Sequence, residues 1–329
     1  MKPTVYDIAK LLGISPSTVS RTLNGSTLVR SETQERVLEA ARELGYSRRT
    51  IRRPTGRAIL NVALFLPVTS ARYAALFYDV RELIAGVKAG LDAVRANVVV
   101  DLAGTTQIFE QKKLGDLHGA LFAFCRPDAQ TAAAIDARGL PIALINRIDR
   151  DRTSIVPDTE AGMVALVERA RAAGLRRPCF LGFQSAPEVS GVRETAFRAA
   201  CAEVGVQLGS GSVRTVGDLS EITPAFIREI HGDGFDACLC FNDVLAIRFL
   251  EAARLAGLEV PRDIGVAGFD DSPILDLATT RIDTVSLSTA ELGRRAGEWL
   301  LSAVVERRTK ITHERVAVAY VPGETLGGS

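Results

Sequence analysis

Residues 15–25, SPSTVSRTLNG, carry several hydroxyl groups and one guanidinium in a short polar stretch. On a helix over residues 16–24, Val19 and Leu23 fall four apart on one face. The hydroxyl and guanidinium groups share the other face: Ser17, Thr18 and Arg21. Short hydroxyl side chains let a helix approach a phosphate backbone closely, and arginine is the commonest reader of guanine. The stretch therefore suits a nucleic-acid contact, and an ordinary small helical bundle is an equally good interpretation of its spacing.

Two further helices are predicted around this stretch. Thr4 is expected to cap the first helix, with Asp7 at the favoured acidic position and Gly13 at its end. Ser15 is expected to cap the helix that carries the hydroxyl groups. The third helix has one apolar face, which we expect to be buried: Val37, Leu38, Ala41 and Leu44. Three helices of this size can just enclose a core.

Charge is divided unevenly along the chain. The 329 residues have a formal net charge of +1, but residues 1–60 hold eleven Lys and Arg against five Asp and Glu, and the remainder holds 29 against 34. A basic head on an acidic body indicates a polyanionic partner for the head. The chain shows no signal peptide and no run of the about 18–20 apolar residues that span a bilayer, so we expect a cytoplasmic protein without a membrane partner.

Cysteine and histidine patterns indicate no site for a metal or a redox group. The five cysteines are an odd number at spacings unlike those of zinc sites, and we expect them to be reduced and buried. The three histidines lie in no motif. Asp270 and Asp271 offer two carboxylates for acid–base work, but adjacent residues rarely face one substrate bond. We therefore expect no catalytic residue, no metal and no cofactor.

From Ile59 onward the pattern changes to a strand, a turn and a helix, repeated. Short, almost continuous apolar runs predict parallel strands buried on both faces: ILNVALFLP, NVVVDLA, GALFAFC, PIALIN, PCFLGF, DACLCFN and DIGVAGF. Alanine-rich amphipathic segments separate many of these runs. The pattern predicts an α/β fold with doubly wound parallel sheets.

Ligands of open α/β sheets bind beyond the carboxyl ends of the strands. The polar residues at these ends are therefore candidate ligand contacts: Thr69, Ser70, Asn146, Arg147, Gln184, Asn242 and Asp270. Each has a structural alternative, since Asn and Asp at a strand end also cap the next helix, as we expect of Asp243. Arg147 suits an anionic ligand, or it pairs with Asp149 or Asp270.

Residues 4–46 closely resemble the DNA-binding headpiece of the LacI/GalR family of bacterial transcription regulators. The elements STVSR-LNG and ERV--AA-ELGY occur in the family's order and spacing. Later segments, including DTEAG and FNDVLAIRFLEAARLAGLEVPRDIGVAGFDD, are similar to the family's effector-binding core. The resemblance implies an N-terminal all-helical helix-turn-helix headpiece followed by a two-subdomain core of the periplasmic-binding-protein type.

The resemblance also implies where the domains lie. The predicted parts are a headpiece, a hinge and an effector-binding and dimerisation core: residues 1–47, 48–58 and 59–329. Two segments form each core subdomain: about 59–157 and 286–312 for the N-subdomain, and about 158–285 and 313–329 for the C-subdomain. No leucine heptad tail follows the core, which favours a dimer over a tetramer.

The resemblance implies that the protein is a transcriptional regulator, with repressor as the favoured role. A homodimer binds pseudo-palindromic double-stranded operator DNA, and a small effector controls that affinity. A sugar, sugar acid or sugar phosphate is the favoured effector, and a purine or nucleoside is the alternative. A secreted solute-binding protein shares the core architecture but has no helix-turn-helix head.

By position, the resemblance implies that Pro16 and Ser17 read bases, with Arg21 as a further base or phosphate contact. Phosphate-backbone contacts are implied for Thr4, Ser15, Thr18, Ser20 and Asn24. Pro16 has no hydrogen-bond donor, so its selectivity must come from packing, for instance against a thymine methyl group. Effector contacts are implied for Asn146, Arg193, Asn242 and Asp270.

Residues 47–57, SRRTIRRPTGR, depart from the family's hinge pattern x-P-N-x-x-A-R-x-L. Pro54 falls just before the position of the leucine wedge, and a proline inside a helix costs ~3 kcal/mol, which puts the usual hinge helix in doubt. Two alternatives remain. Ile51 enters the minor groove as the one aliphatic candidate, or arginines bind the groove without a wedge: Arg49, Arg52 and Arg53.

Overall fold

The computed structural model describes residues 4–23, 29, 31–44, 59–67, 78–101, 117–305 and 310–327. Contacts between residues divide the chain into two compact units, Met1–Thr55 and Gly56–Ser329. The division falls within the segment predicted as a hinge. The bounds of the headpiece, hinge and core stay predictions.

The described residues of the first unit form three helices: α1 (Val5–Leu12), α2 (Pro16–Leu23) and α3 (Ser31–Glu43). They enclose a small apolar core: Ile8, Ala9, Val19, Val37, Ala40 and Ala41. The expected buried face of α3 is partly wrong, because Leu38 and Leu44 are 45% and 36% exposed. The buried positions 37, 40 and 41 follow helical spacing, and each residue turns the helix by about 100°, so Leu38 points away from the core.

The predicted N-caps of α1 and α2 are present. Thr4 Oγ1 accepts a hydrogen bond from the Asp7 N–H at 3.4 Å, and the Asp7 carboxylate accepts one from the Thr4 N–H at 2.7 Å. Hydrogen bonds from Thr4 lower the pKa of Asp7. Ser15 Oγ accepts a hydrogen bond from the Thr18 N–H at 3.1 Å. Gly13 ends α1 with a φ of 65°, a left-handed conformation that glycine adopts without steric cost.

Strands and helices alternate through the second unit. The strands are β1 (Leu60–Phe65), β2 (Ala96–Asp101), β3 (Gly119–Ala123), β4 (Ile142–Ile145), β5 (Thr153–Pro157), β6 (Pro178–Phe183), β7 (Val213–Val216), β8 (Ala237–Cys240), β9 (Gly265–Ala267), β10 (Thr284–Ser286), β11 (His313–Val316) and β12 (Ala319–Val321). The α-helices are α4 (Val80–Gly90), α5 (Ala129–Ala137), α6 (Thr159–Ala172), α7 (Pro187–Val204), α8 (Pro224–Gly232), α9 (Asp243–Leu255) and α10 (Thr289–Val305).

Parallel pairing builds two sheets, in the orders β2-β1-β3-β4-β5-β11 and β7-β6-β8-β9, and β10 pairs antiparallel with β12. The predicted α/β class with parallel sheets is confirmed. Strands β3, β4 and β8 are buried along their whole length, as parallel strands covered on both faces must be. NVVVDLA forms the predicted parallel strand, but the expectation that it is buried on both faces is wrong. Its strand β2 lies at a sheet edge and is partly exposed.

Within the described residues, the chain leaves the first sheet after β5, returns to it after β10 and leaves it again after β11. The β10–β12 pair is joined to the end of the second sheet by isolated bridges. The last crossing differs from the prediction, which placed residue 313 in the C-subdomain. His313–Val316 pairs with Thr153–Pro157 in the first sheet, so the crossing follows Val316. The sequence HERV contains one buried residue and no apolar run, which is why the strand was not recognised.

Helices α4 and α10 approach each other closely at glycines. Gly86 and Gly90 lie against Gly293 and Gly297 of α10. A Cβ atom on Gly86 would lie 2.0 Å from the carbonyl oxygen of Ala290. Because the obstructing atom belongs to the backbone, a larger side chain would have to separate the two helices. The glycines therefore fix α10, which follows the crossing after β10, on the first sheet.

We expect Gly86→Ala to lower the free energy of unfolding by about 1–3 kcal/mol, because the added methyl group overpacks a rigid contact. Gly191→Ala is the matched control, since a Cβ on this glycine of α7 has no atom within 4 Å. The control is expected to be neutral or to stabilise by up to ~1 kcal/mol, because alanine favours helix. Denaturant unfolding followed by circular dichroism measures both. Equal stability of the two variants would contradict the close packing.

Candidate functional site

The outer side of α2 presents hydroxyl groups and one guanidinium. Ser17 and Arg21 are exposed, whereas Val19 is buried in the core of the first unit. Ser15 Oγ lies 2.8 Å from both Ser17 Oγ and Thr18 Oγ1. Within the described part of the chain, Arg21 has no ion pair. The helix therefore offers the chemistry that a DNA backbone or base edge requires.

Other predicted DNA contacts are placed less completely. Pro16 is exposed in the first turn of α2. The Thr4 hydroxyl donates to the Asp7 carboxylate at 2.6 Å, so it serves the cap of α1. The remaining predicted contacts lie outside the described residues or side chains: Ser20, Asn24, Arg49, Ile51, Arg52 and Arg53.

Left-handed backbone conformations cluster at strand ends in the second unit. The non-glycine residues with positive φ in the described ranges are Phe124, Asn146, Asp270, Asp271 and Ser288. They follow β3, β4, β9 and β10. Such conformations cost about 1–3 kcal/mol each and persist where the surroundings impose them, commonly at functional sites. Two predicted ligand residues, Asn146 and Asp270, are among them.

Arg193 and Asp270 form a buried ion pair at the carboxyl edge of the second sheet. Arg193, on α7, donates to the Asp270 carboxylate and to the Phe241 carbonyl oxygen. The side chains are 2% and 8% exposed. The guanidinium stacks over the rings of Phe269 and Phe241, 4.3 and 4.9 Å from their centroids. The pair places a carboxylate, which accepts hydrogen bonds, and a guanidinium, which donates them, at this edge of the sheet.

Burial raises the pKa of Asp270 to about 6, although the charges of Arg193 and Arg147 act in the opposite direction. The two arginines thus stabilise the charged form of Asp270 against the effect of burial.

The cap of α9 is Asn242 and not Asp243. Asn242, which is 2% exposed, caps α9, where its Oδ1 accepts a hydrogen bond from the Leu245 N–H at 3.0 Å. Asp243 was expected to be the cap, and that expectation is wrong because α9 already begins at Asp243. Its carboxylate instead accepts hydrogen bonds from the Ser272 N–H at 2.7 Å, the Ser272 hydroxyl at 2.9 Å and the Thr284 hydroxyl. Asp243 thus ties α9 to strand β10.

Arg147 pairs with neither of the carboxylates considered from the sequence. Asp149 lies 3.8 Å from Arg126, and Asp270 is paired with Arg193. Arg147 is half-buried, and its Nη1 donates to the Asn146 carbonyl oxygen at 2.7 Å. Burial lowers the pKa of Arg147.

The predicted ligand residues therefore gather only in part. Arg193 and Asp270 are in contact beside the ends of β8 and β9, Asn242 follows β8, and the charge of Arg147 acts on both Arg193 and Asp270. Gln184 is exposed after β6 and lies beside Gly217. Ser70 and Thr69 lie outside the described residues. Ligand contact by any of these side chains stays a prediction.

The sequence did not reveal an ion pair between the two subdomains. Arg126, just after β3, contacts Glu188 in the first turn of α7 at 2.7 Å and also donates to the Ile148 carbonyl oxygen. Both charged side chains are more than 40% exposed. Arg126 follows the run GALFAFC, so applying the strand-end rule to this strand would have identified it. Glu188 had no such signal.

Comparison with known proteins decides the family. Residues 4–49 match the model of bacterial regulatory proteins, lacI family, and residues 167–326 match that of the periplasmic binding protein-like domain. The chain belongs to the lacI family of bacterial regulatory proteins. It is a DNA-binding transcriptional regulator, and the helix-turn-helix expected around α2 is the DNA-binding part of this family.

Curated relatives resemble this lacI-family regulator along nearly their whole length. DegA of Bacillus subtilis is 25% identical over 89% of both chains. GntR of Pseudomonas aeruginosa is 27% identical over 94% of this chain and 91% of its own. CelR of Thermobifida fusca is 28% identical over 94% of each chain. All three are named HTH-type transcriptional regulators, so the prediction that this chain is a regulator rather than an enzyme is confirmed.

Solved structures share the fold. The CelR–cellobiose complex has a TM-score of 0.66 at 24% identity and covers 98% of this chain and 99% of its own. The Lac repressor dimer bound to operator and the anti-inducer ONPF has a TM-score of 0.63 at 21% identity and covers 99% of both chains. Across the described ranges, no helix combines the length and apolar character needed to cross a bilayer. The same residues contain no group of three His, Cys, Asp or Glu side chains able to hold a metal ion.

Asp243 provides a pH test of the buried network. Burial, assisted by the charge of Asp270, raises its pKa from 3.8 to about 7. The folded state therefore favours the protonated form, and ionisation costs stability as pH rises from about 4 to 7. For Asp243→Asn, the wild-type minus variant free energy of unfolding is expected to fall over this range by at most ~1.4 kcal/mol per pH unit.

Urea unfolding at several pH values measures this difference. Asp128→Asn is the control, because hydrogen bonds at the cap of α5 lower the pKa of Asp128. For Asp128→Asn, the wild-type minus variant free energy of unfolding should change only below about pH 4 and stay constant from pH 5 to 8. A constant difference for Asp243→Asn between pH 4 and 7 would show that its carboxyl group is not held protonated by the fold.

Proposed function

We propose that this regulator is a repressor that binds a pseudo-palindromic operator as a homodimer and that a small effector in the core controls operator affinity. The observation that carries the proposal is the convergence of Arg193, Asn242, Asp270 and Arg147 at the carboxyl edges of the two sheets. Such an edge is the usual ligand position in α/β folds. The name of one relative, the probable transcriptional repressor ExuR of Bacillus subtilis, supports repression; ExuR is 26% identical over 93% of both chains.

DNA binding is assigned to the exposed side of α2. Ser17 and Arg21 reach base edges or phosphates. Ser15 and Thr18 contact the DNA phosphate backbone through their hydroxyl groups, which are already hydrogen-bonded to each other. Pro16 contributes packing only, so few base contacts come from the start of the helix. Two copies related by a two-fold axis present two such helices, which matches a palindromic site. Arg49, Ile51, Arg52 and Arg53 are proposed to add minor-groove contacts.

The effector is proposed to act on the angle between the subdomains. The chain crosses between the subdomains three times, and the Arg126–Glu188 pair crosses between them as well. A ligand that contacts Arg147 near the first sheet and Arg193 near the second stabilises one angle over others. The favoured class is a sugar, a sugar acid or a sugar phosphate, and purines and nucleosides are the alternative. Effector and operator affinities must then be coupled reciprocally.

Arg21→Ala is expected to weaken specific operator binding while the chain stays folded, since Arg21 is exposed and outside the core. The operator is first selected from a random oligonucleotide pool with the wild-type protein, and affinity is then measured by fluorescence anisotropy at several salt concentrations. Loss of a bidentate base contact costs ~1–3 kcal/mol, and loss of a phosphate contact reduces the salt slope by about 1. Arg42→Ala, which removes an exposed arginine from α3, is the control. Equal operator affinity in the two variants would contradict the role of Arg21.

Asp270→Asn tests the effector site. A thermal-shift screen of sugars, sugar acids, sugar phosphates, nucleosides and purines first identifies compounds that raise the melting temperature of the wild type. The same compounds should change operator affinity in the wild type and have neither effect in Asp270→Asn, because the amide cannot replace the charge paired with Arg193. Glu229→Gln, an exposed carboxylate on α8, is the control and should respond like the wild type. Compounds that bind the wild type without altering operator affinity would contradict the coupling.

A further inference from the structure

In the part of the chain that the structure describes, Arg147 lacks the carboxylate partner that Arg126 and Arg193 have. Arg193 is paired with Asp270, and Arg126 is paired with Glu188. Among the described residues, no carboxylate lies within 4.0 Å of the Arg147 guanidinium. Arg147 is nevertheless half-buried, and a cation removed from water without a partner is unfavourable. An anion from outside the chain would restore the balance.

The neighbours of Arg147 increase this imbalance. The charges of Arg193 and Arg126 both act against its charged form, whereas the charge of Glu188 favours it. Asp270, on which the charge of Arg147 also acts, is already paired with Arg193. Glu188 is already held by Arg126 at 2.7 Å. The hydrogen bond that Arg147 makes, from Nη1 to the adjacent Asn146 carbonyl, orients the guanidinium and leaves donors on its other nitrogens. A carboxylate or phosphate can accept two of these in parallel.

An apolar wall stands beside this guanidinium. Tyr78 stacks on Phe124 with ring centroids 3.9 Å apart and planes inclined by 15°. The charge of Arg147 acts on both the Tyr78 hydroxyl and the Cys125 thiol, which places them near it. Burial is the main reason that the pKa of Tyr78 rises to about 12 and that of Cys125 to about 11, so both are neutral and neither supplies a counter-charge.

We propose that Arg147 is the anion-binding group of the cleft and that the effector is a small hydroxylated molecule with a carboxylate or phosphate group. Its oxyanion is held by Arg147 on the first sheet, and its hydroxyl groups are held by the Arg193–Asp270 pair on the second. This proposal rests on the proposed function, because it takes the cleft to be the effector site. It excludes neutral sugars as the preferred ligands.

Matched ligands and charge variants test the proposal. Isothermal titration calorimetry measures the full-length wild type, Arg147→Gln and Arg147→Lys with glucose, galactose and fructose, then with glucuronate, galacturonate and gluconate, then with the 6-phosphates of the three sugars. Arg228→Gln is the matched control, since it removes an exposed arginine from α8. The acid and phosphate arms distinguish the two sources of the oxyanion.

At least one acid or phosphate is expected to bind the wild type at least about 10-fold more tightly than its neutral parent. Its affinity should fall on the order of 10- to 100-fold in Arg147→Gln, the usual range for a lost hydrogen bond to a charged group. Arg147→Lys should recover part of that loss because it restores the charge without the planar fork. Arg228→Gln should bind as the wild type does, and the neutral sugars should bind Arg147→Gln and the wild type equally weakly.

Three outcomes would overturn the proposal: a neutral sugar that binds as tightly as its acid, an anion whose affinity is unchanged in Arg147→Gln, or no binding of any anionic probe to the wild type below about 10 mM. Operator affinity is measured on the same preparations, so that failure of the anion proposal can be told apart from failure of the proposed function. If the protein binds its operator and a neutral ligand changes that affinity, the anion-binding role of Arg147 is wrong while the proposed function stands.

Discussion

The buried pair of Arg193 and Asp270 is the interaction on which the geometry of the cleft depends. Removing both charges from water is costly, and the pair persists because the guanidinium has two hydrogen-bond acceptors and two aromatic faces around it. Loss of either partner would leave an uncompensated charge in a site of 2% and 8% exposure. The pair therefore fixes the position of α7 relative to the ends of β8 and β9.

The same pair reaches the connection between the subdomains through the backbone. The N–H of Asp270 donates to the Val285 carbonyl oxygen at 2.9 Å, and Asp270 forms a bridge with Ser286. Strand β10 then leads into α10, which the glycine contacts hold against α4. Asp243 adds a second tie, from the start of α9 to Thr284. A change at the carboxylate of Asp270 thus has a short covalent and hydrogen-bonded route to the first sheet.

Sequence patterns predicted the elements whose signal is local. Caps at Thr4 and Ser15, and strands such as PIALIN and DACLCFN, follow from backbone hydrogen bonding and burial of short apolar runs. Strands β5, β7, β10 and β11 were not predicted, because none of them lies in an apolar run as long as those of PIALIN and DACLCFN, and each is recognised only through its neighbours in a sheet. Strand β12 was not predicted either. The sequence also could not show whether Arg147 pairs with a carboxylate, since Asp149 and Asp270 were equally suitable partners by residue type. Only the positions of Arg126 and Arg193 show that both carboxylates are engaged elsewhere.

The strengths of the contacts differ between the interior of each subdomain and the cleft. Inside, the ties are buried: Asp243 with Ser272 and Thr284 in one subdomain, and helix backbones in direct contact in the other. Across the cleft, the Arg126–Glu188 pair is more than 40% exposed on both sides, and exposed pairs contribute about 0.2–1 kcal/mol. Allosteric coupling free energies of about 1–3 kcal/mol exceed that contribution. The proposed effector, which would touch both subdomains, therefore needs to outweigh only a weak contact at this pair, and the buried ties inside each subdomain need not change.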